Sequence, residues 1–311
     1  MAVIIEVNEL SKSFSGIQAV DNLSFTVNQG DVYGFLGQNG AGKSTTIRML
    51  LTLIKPDSGN IRIMGMDLYR SRKEILQRTG AVIEKPDLYK YLTAEENLAV
   101  FARLSGIKPT ASLLKEKLAM VGLSERASSK VRTFSQGMKQ RLGIAVALVH
   151  DPSLIILDEP TNGLDPQGIA DMRNLISSLS HDHGKTLLVS SHMLSEMEQV
   201  ATRLIIIDRG RKLVEGDMRE LLDPVHVMLD IETVNWERDM NWISQSAWAT
   251  KLISSENQRM LLKLEKTEVP LFTSALANSG SGIISLKPKN TLEEYFLSLT
   301  TRENHVGAGK Y

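Results

Sequence analysis

The residues of this chain best suited to chemistry begin with Gly37-Gln38-Asn39-Gly40-Ala41-Gly42-Lys43-Ser44, which fits the spacing G-x-x-x-x-G-K-S at every position. Glycines at these positions let the backbone wrap an anion with its amide hydrogens pointing inward, where side chains would obstruct. The loop leads into a predicted helix, Lys43 to Leu53, whose unpaired N–H groups and dipole favour phosphate. In such a loop the lysine, Lys43, reaches the outer phosphates of a nucleotide. The hydroxyl of Ser44, followed by Thr45, holds a magnesium ion.

A second group lies further along, where the apolar run Leu154-Ile155-Ile156-Leu157 ends in Asp158-Glu159-Pro160. A buried strand with two acids at its end is expected beside the strand of the phosphate loop, delivering Asp158 to the metal. Glu159 then sits where it orients and polarises a water for attack on a terminal phosphate. Burying two adjacent carboxylates is costly unless a cation or ordered water meets them.

The elements that position these groups can be read from periodicity. Val3 to Val7, Leu23 to Val27, Val32 to Leu36, Ile61 to Met64 and Gly80 to Ile83 read as strands, with turns at Gly16, Gln29-Gly30 and Lys55 to Gly59. From Thr93 to about His150 the period becomes helical. Thr93 with Glu96 predicts a capped start and Leu98, Phe101, Ala102 and Leu104 one apolar face; further helices run over Leu113 to Val121 and from Ser135 through Leu148. Leu154 to Leu157 and Thr186 to Ser190 then read as strands around a helix over Gln167 to Leu179. Leu204 to Ile207 and Lys212 to Glu215 read as a hairpin about Arg209-Gly210.

This order predicts an α/β fold, with a mixed β core and an α-helical subdomain at about 85–150, over residues 1–223. Asp223-Pro224 marks the expected boundary to a small α+β accessory domain over 224–311. Its strands are expected at Val227 to Ile231, Arg259 to Leu264 and Gly282 to Leu286. Trp236, Trp242 and Trp248 all fall in this tail, where they read as a small hydrophobic core, and the end from about Arg302 reads as frayed.

Composition narrows the class. Lys+Arg and Asp+Glu both number 36, so no global field draws nucleic acid, and no nucleic-acid partner is expected. There is no cysteine, which excludes disulfides, thiolate metal sites and cysteine nucleophiles. The sequence shows no basic, apolar leader, and its apolar runs fall far short of the roughly 20 residues that span a bilayer. His181 and His183 flank Asp182 before Gly184, which reads as a solvated helix end in preference to a metal site.

Phe134-Ser135-Gln136-Gly137-Met138-Lys139-Gln140-Arg141, with Leu142-Gly143-Ile144-Ala145 after it, resembles the LSGGQ signature of ABC-type ATPases. Phe134, Gln136 and Met138 depart from that pattern. Ser135 and Gly137 keep it, the first to cap a helix and bond a phosphate oxygen, the second to allow close backbone approach. Gly163-Leu164-Asp165 is similar to the family's D-loop and His192 to its switch histidine. The resemblance runs from about Val3 to Glu215. It implies a P-loop NTPase fold of the ABC type, ATP hydrolysis with Mg²⁺, and work at the cytoplasmic face of a membrane through a separate integral membrane permease. It also implies that two copies sandwich ATP head to tail, each site joining Lys43, Ser44, Asp158, Glu159 and His192 of one copy to Ser135 and Gly137 of the other.

Two further residues enter through the resemblance. Phe14 falls where the family stacks an aromatic on adenine, with a place in the core as the other reading. Glu84 stands where the family has a magnesium-binding Gln, with a neutral surface exchange as the other reading. Together with the altered signature, Glu84 resembles the branch exporting peptide antibiotics such as lantibiotics and bacitracin. Thr291 to Leu297 resembles the closing helix of two-component exporter ATPases, which regulates, adds dimer contacts or braces the permease. A soluble ABC ATPase acting on nucleic acid or ribosomes is the alternative. Such proteins generally carry tandem ATPase units or a long coiled coil, and neither is seen here.

Overall fold

The computed structural model describes residues 2–222, 226–256 and 259–289. The expected boundary at Asp223-Pro224, the closing-helix segment Thr291 to Leu297 and the end beyond Arg302 lie outside the described residues. The chain divides into two compact units, Met1–Met218 and Arg219–Tyr311.

The first unit opens with two long strands, β1 (Val3–Phe14) and β2 (Ile17–Asn28), then β3 (Val32–Leu36) and helix α1 (Lys43–Leu50). β4 (Ser58–Ile63), β5 (Met66–Asp67), α2 (Arg72–Gln77) and β6 (Thr79–Val82) follow. Three helices come next, α3 (Ala94–Leu104), α4 (Ala111–Met120) and α5 (Gln136–Ala147), packed on one another within the expected helical segment. The unit returns through β7 (Leu154–Asp158), α6 (Pro166–His181), β8 (Thr186–Ser191), α7 (Leu194–Met197), β9 (Arg203–Asp208) and β10 (Arg211–Asp217), and the short helix α8 (Met218–Leu222) starts at its last residue.

Two sheets result. A four-stranded antiparallel sheet has the order β2-β1-β4-β5, and a six-stranded sheet the order β10-β9-β3-β8-β7-β6. In the second, β3, β6, β7, β8 and β9 run parallel, while β10 turns back through Arg209 and Gly210, both at positive φ (46° and 81°). That is the two-residue hairpin geometry matching the twist of its strands. Every residue of β3, β7 and β8 is buried, as expected of strands covered on both faces. Ile5, Leu10, Phe25, Phe35, Ile47, Leu50 and Ile156 belong to one core cluster, each such burial contributing about 1.5–3 kcal/mol.

Two expectations need correction. β7 does not lie beside β3, because β8 is inserted between them and pairs with both. Leu104 does not share the apolar face of α3; it is 72% exposed, whereas Ala94, Asn97, Leu98 and Ala102 are buried. Leu104 lies about 240° around the helix from Leu98, on the side away from the core. The Thr93–Glu96 capping box is formed as expected.

The second unit runs β11 (His226–Thr233), α9 (Trp236–Gln245), β12 (Leu252–Glu256), β13 (Arg259–Glu265), α10 (Val269–Asn278) and β14 (Ile283–Lys289). Its sheet order, β12-β13-β11-β14, is antiparallel at every pairing, the split-βαβ arrangement of ferredoxin-like folds. Trp236, Trp242 and Trp248 pack against its core, and Trp248 meets Phe272 edge to face at 5.3 Å.

Candidate active site

The three strands that matter most, β3, β7 and β8, are parallel, so their carboxyl ends share one edge of the sheet, where such folds place their ligands. β3 runs into the glycine loop, β7 into Asp158-Glu159 and β8 into Ser191-His192. The loop bends as its glycines allow. Gly40 and Gly42 sit at φ +86° and +104°, and a Cβ on Gly42 would lie 2.5 Å from the Ala19 carbonyl. A Cβ on Gly37 would lie 2.6 Å from the Ile207 carbonyl. Gly42 therefore excludes a side chain on both steric and conformational grounds, Gly37 on steric grounds and Gly40 by its conformation.

Lys43 is 5% exposed, and its ammonium donates to the Gly37 carbonyl at 2.6 Å and the Gln38 carbonyl at 3.3 Å. It also stands 3.1 Å from Glu159 Oε1. The other carboxylate oxygen, Oε2, meets His192 Nδ1 at 2.7 Å. One carboxylate thus joins the loop lysine to the histidine that follows β8. Glu159 holds a left-handed backbone (φ 50°), an uncommon conformation for a residue with a side chain and one that persists only where its surroundings impose it.

The surroundings here include Ser190. Its hydroxyl donates to Asp158 Oδ1 at 2.6 Å and accepts the Glu159 N–H at 2.9 Å, with both Ser190 and Asp158 buried. The inserted strand β8 therefore does what direct adjacency of β3 and β7 was expected to do: it fixes the acid pair. In the sequence Ser190 stands out only as the last residue of the strand expected from Thr186.

The cleft, about 200 Å³, is lined by Ala19, Gln38, Asn39, Gly40, Gly42, Lys43, Ser44, Thr45, Glu159 and Asn162. Of these, Ala19, Gln38 and Asn162 were not anticipated, although Gln38 lies within the glycine motif. Asp158, Glu84, Phe14, Ser135 and Gly137 are not among its lining residues. Phe14 is 43% exposed under the Lys12 ammonium, which rules out its place in the core. Glu84 is 64% exposed, at φ 56°, and is paired with Arg48 of α1. Ser135 caps α5 by accepting the Met138 N–H at 3.2 Å. A Cβ on Gly137 would meet only Leu164, at 3.8 Å. Asp165 caps α6 through the Gly168 N–H. His181 and His183 are exposed at the end of that helix, and among the described residues no three His, Asp or Glu side chains gather to hold a metal.

An anion cradle at a helix N-terminus, facing an acid pair and a histidine along one edge of a parallel sheet, defines a nucleoside triphosphate hydrolase of the P-loop class. The ABC transporter family model matches residues 20–162. The bacitracin transport ATP-binding protein of Bacillus licheniformis is 52% identical over 215 residues, covering 69% of this chain and 70% of its own. The Nod factor export ATP-binding protein I of Burkholderia lata is 36% identical over 301 residues, covering 96% and 97%. Among solved structures, an ATP-binding subunit of an ABC transporter aligns over 70% of this chain and 91% of its own, at 32% identity and TM-score 0.62. A dimeric ATP-binding cassette in a post-hydrolysis state with ADP and Pi aligns over 70% and 99%, at 26% identity and TM-score 0.62. The chain belongs to the ATP-binding subunits of the ABC transporter family, and it is an ATP hydrolase.

Proposed function

We propose that this subunit energises export of a peptide antibiotic, drug or similar compound through a separate integral membrane permease, bound at the cytoplasmic face. The observation that carries this reading is the match to a subunit named for export over 96% of the chain, a span that includes part of the second unit. A relative named for bacitracin transport supports the peptide-antibiotic class. Among the described residues no helix is long and apolar enough to cross a membrane, so the path for cargo is assigned to a partner.

Two copies acting head to tail complete each site. A 200 Å³ cleft is smaller than the roughly 300–1,000 Å³ of a self-sufficient ligand pocket, and Gly137 answers no packing need within its own chain. Ser135 and Gly137 of the partner copy close over the terminal phosphate, with the N-terminus of α5 aimed at its charge. Phe14, exposed at the end of β1, stacks on adenine.

Mg²⁺ takes few protein ligands and keeps phosphate oxygens and water for the rest. The Ser44 hydroxyl and the Asp158 carboxylate fit that preference and would hold the metal, with Glu84, here paired with Arg48, as a third protein ligand. The metal supplies charge neutralisation at the phosphates. Lys43, already among carbonyl oxygens, exchanges them for phosphate oxygens. Glu159 then orients a water and accepts its proton as the water oxygen bonds the γ-phosphorus and the bond to the ADP oxygen breaks. His192 holds Glu159 on one side and faces the γ-phosphate with its own polar edge.

The reading is tested by expressing the chain with each candidate multi-span permease found among its neighbouring genes in a bacitracin-sensitive host. Resistance that disappears on Lys43→Ala is expected; full sensitivity to bacitracin and to lantibiotics in both strains contradicts the peptide-antibiotic assignment.

A further inference from the structure

Behind the acid pair lies a buried carboxylate that the reaction itself does not use. Glu196, on the short helix α7, is 4% exposed. Its Oε2 accepts the Thr161 hydroxyl at 2.6 Å and the Ser191 hydroxyl at 3.2 Å, with Thr161 7% and Ser191 1% exposed. Ser191 also has the Met193 carbonyl within 3.3 Å and accepts the Met193 N–H at 2.9 Å, which folds the turn after β8 on itself.

Thr161 lies two residues beyond Glu159, and Ser191 immediately precedes His192. One carboxylate oxygen therefore ties together the roots of the two loops whose tips meet as the 2.7 Å contact between Glu159 and His192. Hydrogen bonds to a charged acceptor are stronger than neutral ones, and burial removes the competition of water. Ser190 fixes Glu159 from its backbone side, leaving the far side of the same turn to Thr161.

We infer that Glu196 is a positioning residue for ATP hydrolysis, a clamp that holds Glu159 and His192 in register with one another. The inference rests on the catalytic roles given to those two residues. Glu196, Thr161 and Ser191 do not line the cleft, so loss of Glu196 acts on turnover and spares nucleotide binding. Since misplacement of a reacting group by about 1 Å costs on the order of a hundredfold in rate, the expected effects are large.

The test uses the full chain and four variants, measuring kcat for Mg-ATP hydrolysis and the Kd for ATP by calorimetry. Glu196→Leu, similar in size but unable to accept hydrogen bonds, is expected to lower kcat about a hundredfold, and Thr161→Val about tenfold, each with Kd within about twofold of wild type. Glu196→Gln, whose amide oxygen still accepts both hydroxyls, is expected to stay within about threefold. Wild-type turnover in Glu196→Leu and Thr161→Val overturns the clamp, as does a Kd that weakens in step with kcat or a Glu196→Gln as slow as Glu196→Leu. Should Glu196→Leu fail to fold, Thr161→Val decides alone by the same two readings. The fourth variant, Glu159→Gln, separates the premises: if it hydrolyses ATP at the wild-type rate, the role of Glu159 fails, whereas an inactive Glu159→Gln beside an active Thr161→Val removes only the clamp.

Discussion

Replacing Ser190 by alanine removes one oxygen atom from the interior and breaks two contacts at once. The Asp158 carboxylate loses a donor at 2.6 Å, and the Glu159 amide loses an acceptor at 2.9 Å. Ser190 is fully buried and Asp158 is 2% exposed, so the carboxylate gains no water in exchange. A buried polar group left without its partner costs about 1–3 kcal/mol, more when it is charged, so the carboxylate alone accounts for about 3 kcal/mol. A single hydroxyl leaves too little room for a replacement water, which needs roughly 10–15 Å³ of its own. Ser190 sits on β8 and Asp158 on β7, both interior strands of the six-stranded sheet. In such strands amide exchange reports global opening. Hydrogen exchange followed by mass spectrometry on peptides covering β7 and β8 should therefore quicken about a hundredfold in Ser190→Ala, at about 1.4 kcal/mol per tenfold. Exchange within threefold of wild type would refute the view that β8 fixes the acid pair through this side chain.

Other outcomes follow from single observations. Gly42→Ala should abolish ATP binding in calorimetry, because its Cβ would sit 2.5 Å from the Ala19 carbonyl at a φ of +104°; retained micromolar affinity contradicts the cradle. Burial holds the His150 imidazole below its ordinary value, with Nε2 on the Thr79 carbonyl and Nδ1 buried without a partner. The fold thus favours the neutral ring, and the stability this gives is present above the unfolded value of about 6.5 and lost as pH falls below it. Denaturation at pH 7 and pH 5 should show a smaller loss in His150→Asn than in wild type; equal losses dismiss the residue. Glu84→Gln should raise the Mg²⁺ concentration for half-maximal ATPase, and equal rates with equal magnesium dependence in both forms remove Glu84 from the metal site.

Local chemistry was legible in the sequence and non-local pairing was not. β3 occupies Val32 to Leu36 as read, because a run of buried residues stopped by a glycine loop leaves no choice of ends. The cap at Ser135 and the box at Thr93 were equally plain, since a side chain and an amide three residues on decide them. β1 and β2 are much longer than their alternation suggests. Register shifts between Val7 and Leu10 and between Leu10 and Lys12 break the period of two that strand reading depends on. The insertion of β8 between β3 and β7 is a matter of parallel pairing across distant segments, on which residue order is silent. Glu196 carried no motif, and an acid on a short helix reads as a surface residue until Thr161 and Ser191 are seen around it. The pairing of Glu84 with Arg48 was hidden for the same reason.

The most direct test of the whole account is single-turnover hydrolysis of Mg-ATP by Glu159→Gln beside the wild-type chain. Glutamine keeps the size of the side chain and its contact with His192, yet it accepts no proton from water. The expected result is ATP bound with wild-type affinity, turnover lowered by at least about a hundredfold, and an ATP-dependent dimer by light scattering. Hydrolysis at the wild-type rate would contradict it.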